Sequence, residues 1–515
     1  MPNTSQITPF VTSLGGGLVL NKDVFSMSPG EALQLQNFEP DTAGGYKKIL
    51  GTTKFNTNIV PQVALSSERV VLSTIFNDVV LAGRGGSIHR ASSGSGSWTS
   101  VITGLGTPTQ NYEFKKFNFD GTDKIVICSA TSTPRIVDTS YSVTNVNATG
   151  SANFKFVEVF KNHIFFSGDS SNNQSVKFMA PFANNDFTSA NGGGEVKVDS
   201  PVVGLQIFRD NLFIFCTDEI FKLSGTSLAD FTLQPVTRKI GCLDGRSIQE
   251  FAGDVIFLAP DGLRTIAGTD RIGDVELGTI SKQVQNRIDD ITTHNINSLI
   301  IRKKSQYRLF YPASAAQSEE ASAGLIAVIK SNPNTGQIGF EYADMKQMKI
   351  SSCDSDFISG TENVIHGGYD GYIYLQESGN ELTRASTTTS IDSFYRSPDI
   401  TMGDPGIRKS MQRVLVNYEN TGLVASTFKL IYDFADPDTP QPSAYSLSTG
   451  AGVAIYGLTA STYGTAVYNS SGAALVRQSV EGGGFTVALR LDDTSTNPPI
   501  SVKGFELEFV PGGRR

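Results

Sequence analysis

One hairpin recurs through the middle of this chain, and no other feature limits the fold as strongly. Between residues 70 and 376 an apolar strand is followed by a short turn rich in Gly, Asp, Ser or Asn, then by a second strand that alternates. The instances are VVLAGRGGSIHRAS (79–92), IVICSATSTPRIVDTS (125–140), HIFFSGDSSNNQSVKFMA (163–180), LFIFCTDEIFKLSG (212–225), VIFLAPDGLRTIAG (255–268), YRLFYPASAAQSEEASAGLIAVIK (307–330) and VIHGGYDGYIYLQES (364–378). Their first strands start near 79, 125, 164, 213, 255, 308 and 364, a spacing of roughly 40 to 55 residues. That is the length of a four-stranded propeller blade. A generic β-sandwich also alternates, but it does not repeat one hairpin seven times at near-constant spacing.

The residues suit that unit. The first strand of each hairpin is nearly all apolar, as expected of an inner blade strand covered on both faces by neighbouring blades. Gly85-Gly86, Asp261-Gly262 and Asp370-Gly371 supply turns that tolerate positive φ. The second strand alternates, as in Ile220-Phe221-Lys222-Leu223 and Tyr372-Ile373-Tyr374-Leu375. Runs such as VVGLQIFRDN and SIQEFAGD precede most hairpins and provide the remaining strands. The pattern predicts an all-β chain with a six- or seven-bladed β-propeller over 46–385, the unit at 307–330 being stretched and irregular.

Outside the repeat, residues 1–45 read as an extended N-terminal arm. Too little core of their own is available to them, so they are expected to order by packing on the propeller or on a neighbour. Ser28, Pro29 and Glu31 carry the signature of a helix start. The strand Tyr46–Leu50 is placed to complete the last blade and close the ring. SKQVQNRIDDI (281–291) has Val284, Ile288 and Ile291 at helical spacing and reads as an insertion on one face of the propeller. From 386 to 515 longer alternating strands at 412–418, 427–432, 485–491 and 502–509 predict a C-terminal β-sandwich. The Ser/Gly-rich stretch at about 434–480 within it reads as a projecting loop or hairpin.

Composition narrows the function classes. The 515 residues suffice for two or three domains. A net charge of −8 offers no attraction to phosphates or to an anionic membrane. Basic clusters are short: Lys47-Lys48, Arg302-Lys303-Lys304 and Arg514-Arg515. Each reads as a solvated edge or an interface contact. Cys128, Cys216, Cys242 and Cys353 lie far apart without a CxxC pattern, and read as free thiols. The opening residues lack a signal-peptide pattern, and no run reaches 18 apolar residues. A chain without a membrane anchor, made and assembled in the cytoplasm, is expected.

Three stretches resemble a known family. GGGLVLNKDVFSMSPGEALQLQNFEPDTAGGYKKILGTTKF is similar to the opening of many phage virion proteins, with a glycine pair, a short S/P-G segment, an Asn-Phe step and a second glycine pair before a strand. LFIFCTDEIFKLSG, continued by QPVTRKIGCLDGRSIQEFAGDVIFLAPDGLRTIAG, resembles the middle of the tail nozzle, or packaged-DNA stabilisation, proteins of short-tailed bacteriophages. The end, GFELEFVPGGRR, is similar to the final strand of such chains. The resemblance covers about two-thirds of the chain and no single motif is diagnostic. It implies a propeller that assembles as a hexameric ring at the end of a virion tail, retaining packaged DNA and conducting it at ejection. The partners implied are other copies of the chain, a tail adaptor ring, tail fibre or tip proteins, and transient non-specific contact with double-stranded DNA.

Enzymatic chemistry was sought in the same residues. His89, His163, His294 and His366 have no partner at metal-ligand spacing, and HExxH, GxSxG and Walker A patterns are absent from the sequence. A single tryptophan, Trp98, argues against sugar-stacking platforms. Asp120-Gly121 and Asp370-Gly371 lack the alternating acids of a calcium loop and read as turns. No catalytic, metal or cofactor residue is therefore assigned, no cofactor is expected, and no residue is assigned to a DNA channel. Two other readings remain open at this point: a receptor-binding or fibre-attachment propeller, and a propeller hydrolase or lyase with scattered acid and base. Gene context separates them, since a nozzle gene is expected beside portal and adaptor genes.

Overall fold

The computed structural model describes residues 6–62, 69–266, 279–289, 291, 295–313, 321–331, 338–420, 422–448 and 473–514. Six small sheets stand in a ring. Blade 1 comprises Leu72–Phe76, Val79–Arg84, Ser87–Ala91 and Thr99–Ile102. Blade 2 runs from Glu113–Asn118 to Val143–Asn145, blade 3 from Phe156–Phe160 to Gly194–Lys197, and blade 4 from Val202–Phe208 to Thr232–Thr237. Among the described residues blade 5 has three strands, Gln249–Phe251, Asp254–Ala259 and Gly262–Thr265. Blade 6 begins with Ser352–Ile358, Thr361–Gly367 and Ile373–Gln376.

Between blades 5 and 6 the ring has a further sector. Asn297–Ile301, Gln306–Tyr311, Ala321–Ser331 and Ile338–Ile350 form an antiparallel meander whose first strand packs against the first strands of both neighbours. This meander is one end of a nine-stranded sheet. Seven first strands thus face the axis, six in sheets of their own and one heading the larger sheet. The stretched unit at 307–330 has its cause here, because its outer strands also serve the second domain.

All seven hairpins read from the sequence are present, but they are the second and third strands of each unit. The innermost strands are the runs before them, such as Glu113–Asn118 (EFKKFN). These are more polar because they line the axis, whereas the second strands are covered on both faces. Val80, Leu81 and Ala82, or Phe213, Ile214 and Phe215, are buried accordingly. A separate apolar cluster fills each gap between successive blades from 1 to 5, and another joins blade 6 to blade 1.

Ring closure uses a strand later than the one expected. Thr52–Lys54 pairs antiparallel with Ile373–Gln376, so residues from before blade 1 complete blade 6. The expected closing segment instead sends Tyr46–Lys48 into a seven-stranded sheet, against Phe38–Pro40 and Ile500–Arg514. Gly51 lies between the two, where an added Cβ would stand 2.0 Å from the Glu381 carbonyl oxygen. Gly51→Ala is therefore expected to destabilise the closure by about 1–3 kcal/mol, as overpacking does. Urea denaturation of the variant beside the parent measures it.

The two large sheets enclose the largest core and form the C-terminal sandwich. In the seven-stranded sheet Ile407–Asn420 and Ile500–Arg514 run side by side, flanked by Ala473–Ser479. The nine-stranded sheet continues from Ile338–Ile350 through Gln34–Gln36, Ser393–Arg396, Val487–Asp493 and Ala425–Tyr432 to Tyr445–Ser448. The four strands expected beyond 386 are all present. Of the Ser/Gly-rich stretch, 449–472 lies outside the described residues, while the strands on either side of it pair with 425–428 and 413–419.

The N-terminal segment is ordered by these sheets. Thr8–Ser13 pairs with 504–509, and Gln34–Gln36 joins Ile338–Ile350 to Ser393–Arg396. No helix forms at Ser28. Glu31 Oε2 accepts from Ser28 N at 2.9 Å, so the capping contact is made by a turn, and Leu33 N bonds the Arg396 carbonyl instead of continuing a helix. Tertiary pairing has overridden the local signal. A single 3-10 turn, Val24–Ser26, is capped upstream by Asp23. The expected helix at 281–291 is a 3-10 turn followed by α-helix Gln285–Asp289, with Val284 and Ile288 in the large core and Arg287 paired to Asp344 at 2.9 Å.

Candidate functional site

The ring leaves a cavity of about 840 Å³ on its axis. Its wall takes residues from the first strand of every sector, including Ser73, Glu113, Glu158, Gln206, Gln249, Ser298 and Asp354. Side chains alternate along a strand, so each inner strand turns one set into a blade interface and the other towards the axis. Glu113, Lys115 and Lys116 of EFKKFN and Gln249 and Glu250 of QEF are on the wall.

Each cation of the wall has a carboxylate partner. Lys115 Nζ lies 2.6 Å from the Glu158 carboxylate, joining blades 2 and 3. Burial raises the pKa of Glu158, against the lowering effect of Lys115. Lys116 pairs with Asp356 of blade 6. Arg246 donates from Nε and Nη2 to the Asp244 carboxylate at 3.1 and 2.8 Å. Arg302 donates to the Ser355 carbonyl at 2.9 Å and lies 3.7 Å from Glu362. Asp354 accepts from Thr74 Oγ1 at 2.8 Å, tying blade 6 to blade 1, and burial raises its pKa. At one mouth Asn111 donates to Asn297 Oδ1 at 2.8 Å, while Ser298 Oγ donates to the Arg246 carbonyl at 2.6 Å.

Among the described residues no hydrogen bond or ion pair involves the carboxylates of Glu113 and Glu250, and burial lifts the pKa of Glu113 to about 7 despite the nearby Arg246.

The residues weighed in the sequence fall elsewhere. His89 is buried in blade 1 with Nε2 3.0 Å from Ser87 Oγ, and burial lowers its pKa. His163 is buried among Phe165, Phe178 and Phe231, with Nδ1 2.6 Å from the Met179 carbonyl. His366 stacks on Tyr374 at 5.2 Å, and burial drops its pKa to about 3. His294 lies outside the described residues. Cys128, Cys216 and Cys242 are buried free thiols. Cys353, also free and only partly buried, is on the cavity wall, where burial raises its pKa. No group of three His, Cys, Asp or Glu side chains among the described residues is placed to hold a metal ion.

Two lysines of the basic clusters are structural. Lys48, 1% exposed, pairs with the equally buried Asp493 at 2.8 Å across the sandwich. Lys304 pairs with Glu39 at 2.5 Å. Asp370 accepts from the Tyr374 hydroxyl at 2.6 Å and from Ala385 N, and Gly371 has a φ of 80°, as a turn residue does. The cavity itself went unread in the sequence. Its only local signal is the polarity of the inner strands, and the groups it unites come from seven separated stretches.

No family model matches this chain, and no curated protein matches it. Among solved structures, the crystal structure of Raptor from Chaetomium thermophilum is similar with a TM-score of 0.40 and 11% identity. The match covers 65% of this chain and 30% of that one, so the chain spans under a third of that protein's length. A likeness of this size bears on no functional statement below.

Proposed function

We propose that this chain is a non-enzymatic structural protein of a bacteriophage tail. It is the nozzle or hub, a ring that retains packaged DNA and conducts it at ejection. By its resemblance to the nozzle proteins the ring is a hexamer, seated on a tail adaptor, bound to fibre or tip proteins, and assembled in the bacterial cytoplasm before it becomes part of the virion. The tail role rests on the resemblance of residues 15–55, 212–268 and 504–515 to the nozzle proteins. Support for its non-enzymatic part comes from the cavity's cations: Lys115, Lys116, Arg246 and Arg302 are each engaged by a neighbouring carboxylate. The knitting of the first strand, Thr8–Ser13, onto the last, Ile500–Arg514, further supports a scaffold role.

DNA does not pass through one propeller in this account. A rod only as wide as a major groove, about 12 Å, and one helical turn long, about 34 Å, already fills roughly 3,800 Å³. The cavity holds about 840 Å³. The conduit is therefore the bore between copies, and retention is steric. A surface of net charge −8 should bind duplex DNA weakly. We expect a dissociation constant no tighter than about 10 µM at physiological salt. Fluorescence anisotropy checks this; nanomolar, steeply salt-dependent binding would indicate a clamp instead of a conduit. Light scattering of the chain mixed with its adaptor tests assembly. A closed ring is the expected stoichiometry, because heterologous contacts close only with a template or a large interface. One or two copies per adaptor would end the proposal.

A further inference from the structure

We infer that the axial cavity is a binding site for a small organic cation, an aliphatic polyamine, with the Glu113 carboxylate as its counter-ion. At about 840 Å³ the cavity lies within the size range of small-ligand sites, about 300–1,000 Å³. Its wall is built from the first strands of all seven sectors, so its shape is fixed by the ring.

The charge inventory decides the ligand class. Five carboxylates line the wall, those of Glu113, Glu158, Glu250, Asp354 and Asp356, against four cations, Lys115, Lys116, Arg246 and Arg302. All four cations are occupied, two of them by Asp244 and Glu362 from just outside the wall. An anion would have to break an existing pair, whereas a cation would not. Glu113 and Glu250 have no hydrogen bond or ion pair among the described residues, and Asp354 has hydrogen bonds but no contacting cation. A carboxylate on the cavity wall that meets neither a cation nor a donor favours a guest that donates hydrogen bonds and carries positive charge. A polyamine has both properties, and its length suits several carboxylates spaced along one axis better than a compact ion does.

The groups acting on Glu113 are Arg246 and Asp244 from beside blade 5 and Lys115 on its own strand. Burial holds its carboxyl above the usual carboxylate range, at about 7. An ammonium bound beside it stabilises the charged form, so binding near pH 7 releases protons.

Isothermal titration of the full chain with spermidine, in two buffers of different ionisation enthalpy, tests the proposal. One site per chain is expected, with proton release at pH 7 and at least about tenfold weaker binding at pH 5.5. Glu113→Gln is expected to weaken binding tenfold or more, and Asp218→Asn, on the exposed outer surface, to leave it unchanged. Circular dichroism of both variants confirms folding. Absence of binding at millimolar spermidine, or equal binding by Glu113→Gln, would overturn the site and mark any residual affinity as general attraction to an acidic surface. The tail role stands or falls separately, on ring assembly.

Discussion

Deleting residues 1–40 is expected to unfold the two large sheets while blades 1 to 4 stay folded. The segment supplies Leu14, Leu18, Ala32, Leu35 and Phe38 to the largest core, each at most 5% exposed. Truncating one such Leu or Phe costs about 2–5 kcal/mol. The four large side chains together amount to about 8–20 kcal/mol, comparable to the whole stability of a typical domain. Topology adds to the loss. Gln34–Gln36 is the link between Ile338–Ile350 and Ser393–Arg396, so without it the nine-stranded sheet parts into its propeller and sandwich halves. The clusters between blades 1 and 4 contain no residue before Val71. Hydrogen exchange is expected to show protection kept at 125–128, 164–166 and 212–216 and lost at 407–420 and 487–509. Retained protection in the sandwich would mean the segment is dispensable.

The second large effect is expected at Arg308, which is fully buried where three parts of the chain meet. Its guanidinium donates to Glu39 of the seven-stranded sheet at 3.2 Å and to Glu377, just beyond the third strand of blade 6, at 2.5 Å. Gln306 and Gln376 accept at 3.2 Å each, and Lys304 pairs with both glutamates. Arg308→Met leaves buried carboxylates short of a partner, which costs about 3–5 kcal/mol. Replacing Glu39 and Glu377 by Gln in the same chain is expected to recover most of that, because a neutral network no longer needs the cation. Chemical denaturation of the three chains measures both steps.

The same cluster sets an acid limit. Burial alone would raise the pKa of Glu377, but Arg308 and Lys304 outweigh it and bring it to about 2. A carboxylate depressed in the folded state binds fewer protons there than when unfolded, so its contribution is present above about pH 4.5. It is lost as pH falls through about 2. In Arg308→Met that loss should begin at higher pH.

Much of the fold was legible for one physical reason. The second strand of each sector is covered on both faces, so runs such as NLFIFC and DVIFLA stand out, and the turns after them need residues such as Gly262 and Gly371 with positive φ. The innermost strands face water, carry Lys115, Glu158 and Gln249, and so resemble loops. Pairings over long separations left no local trace: nothing in Gln34-Leu35-Gln36 announces two partners more than 300 residues away. The helix expected at Ser28 does not form, because its local preference loses to that pairing. The candidate site was invisible because Glu113, Arg246 and Asp354 become neighbours only when the ring closes. Conversely, the short basic clusters read as surface features include Lys48, which is a buried strut.

Electron microscopy of the chain assembled on its tail adaptor tests the central claim most directly. The account predicts a closed ring of six copies around one shared bore wide enough for duplex DNA, with each propeller axis lying outside that bore and empty of DNA. Isolated copies on the adaptor, or DNA density threading the axis of a single propeller, would contradict it.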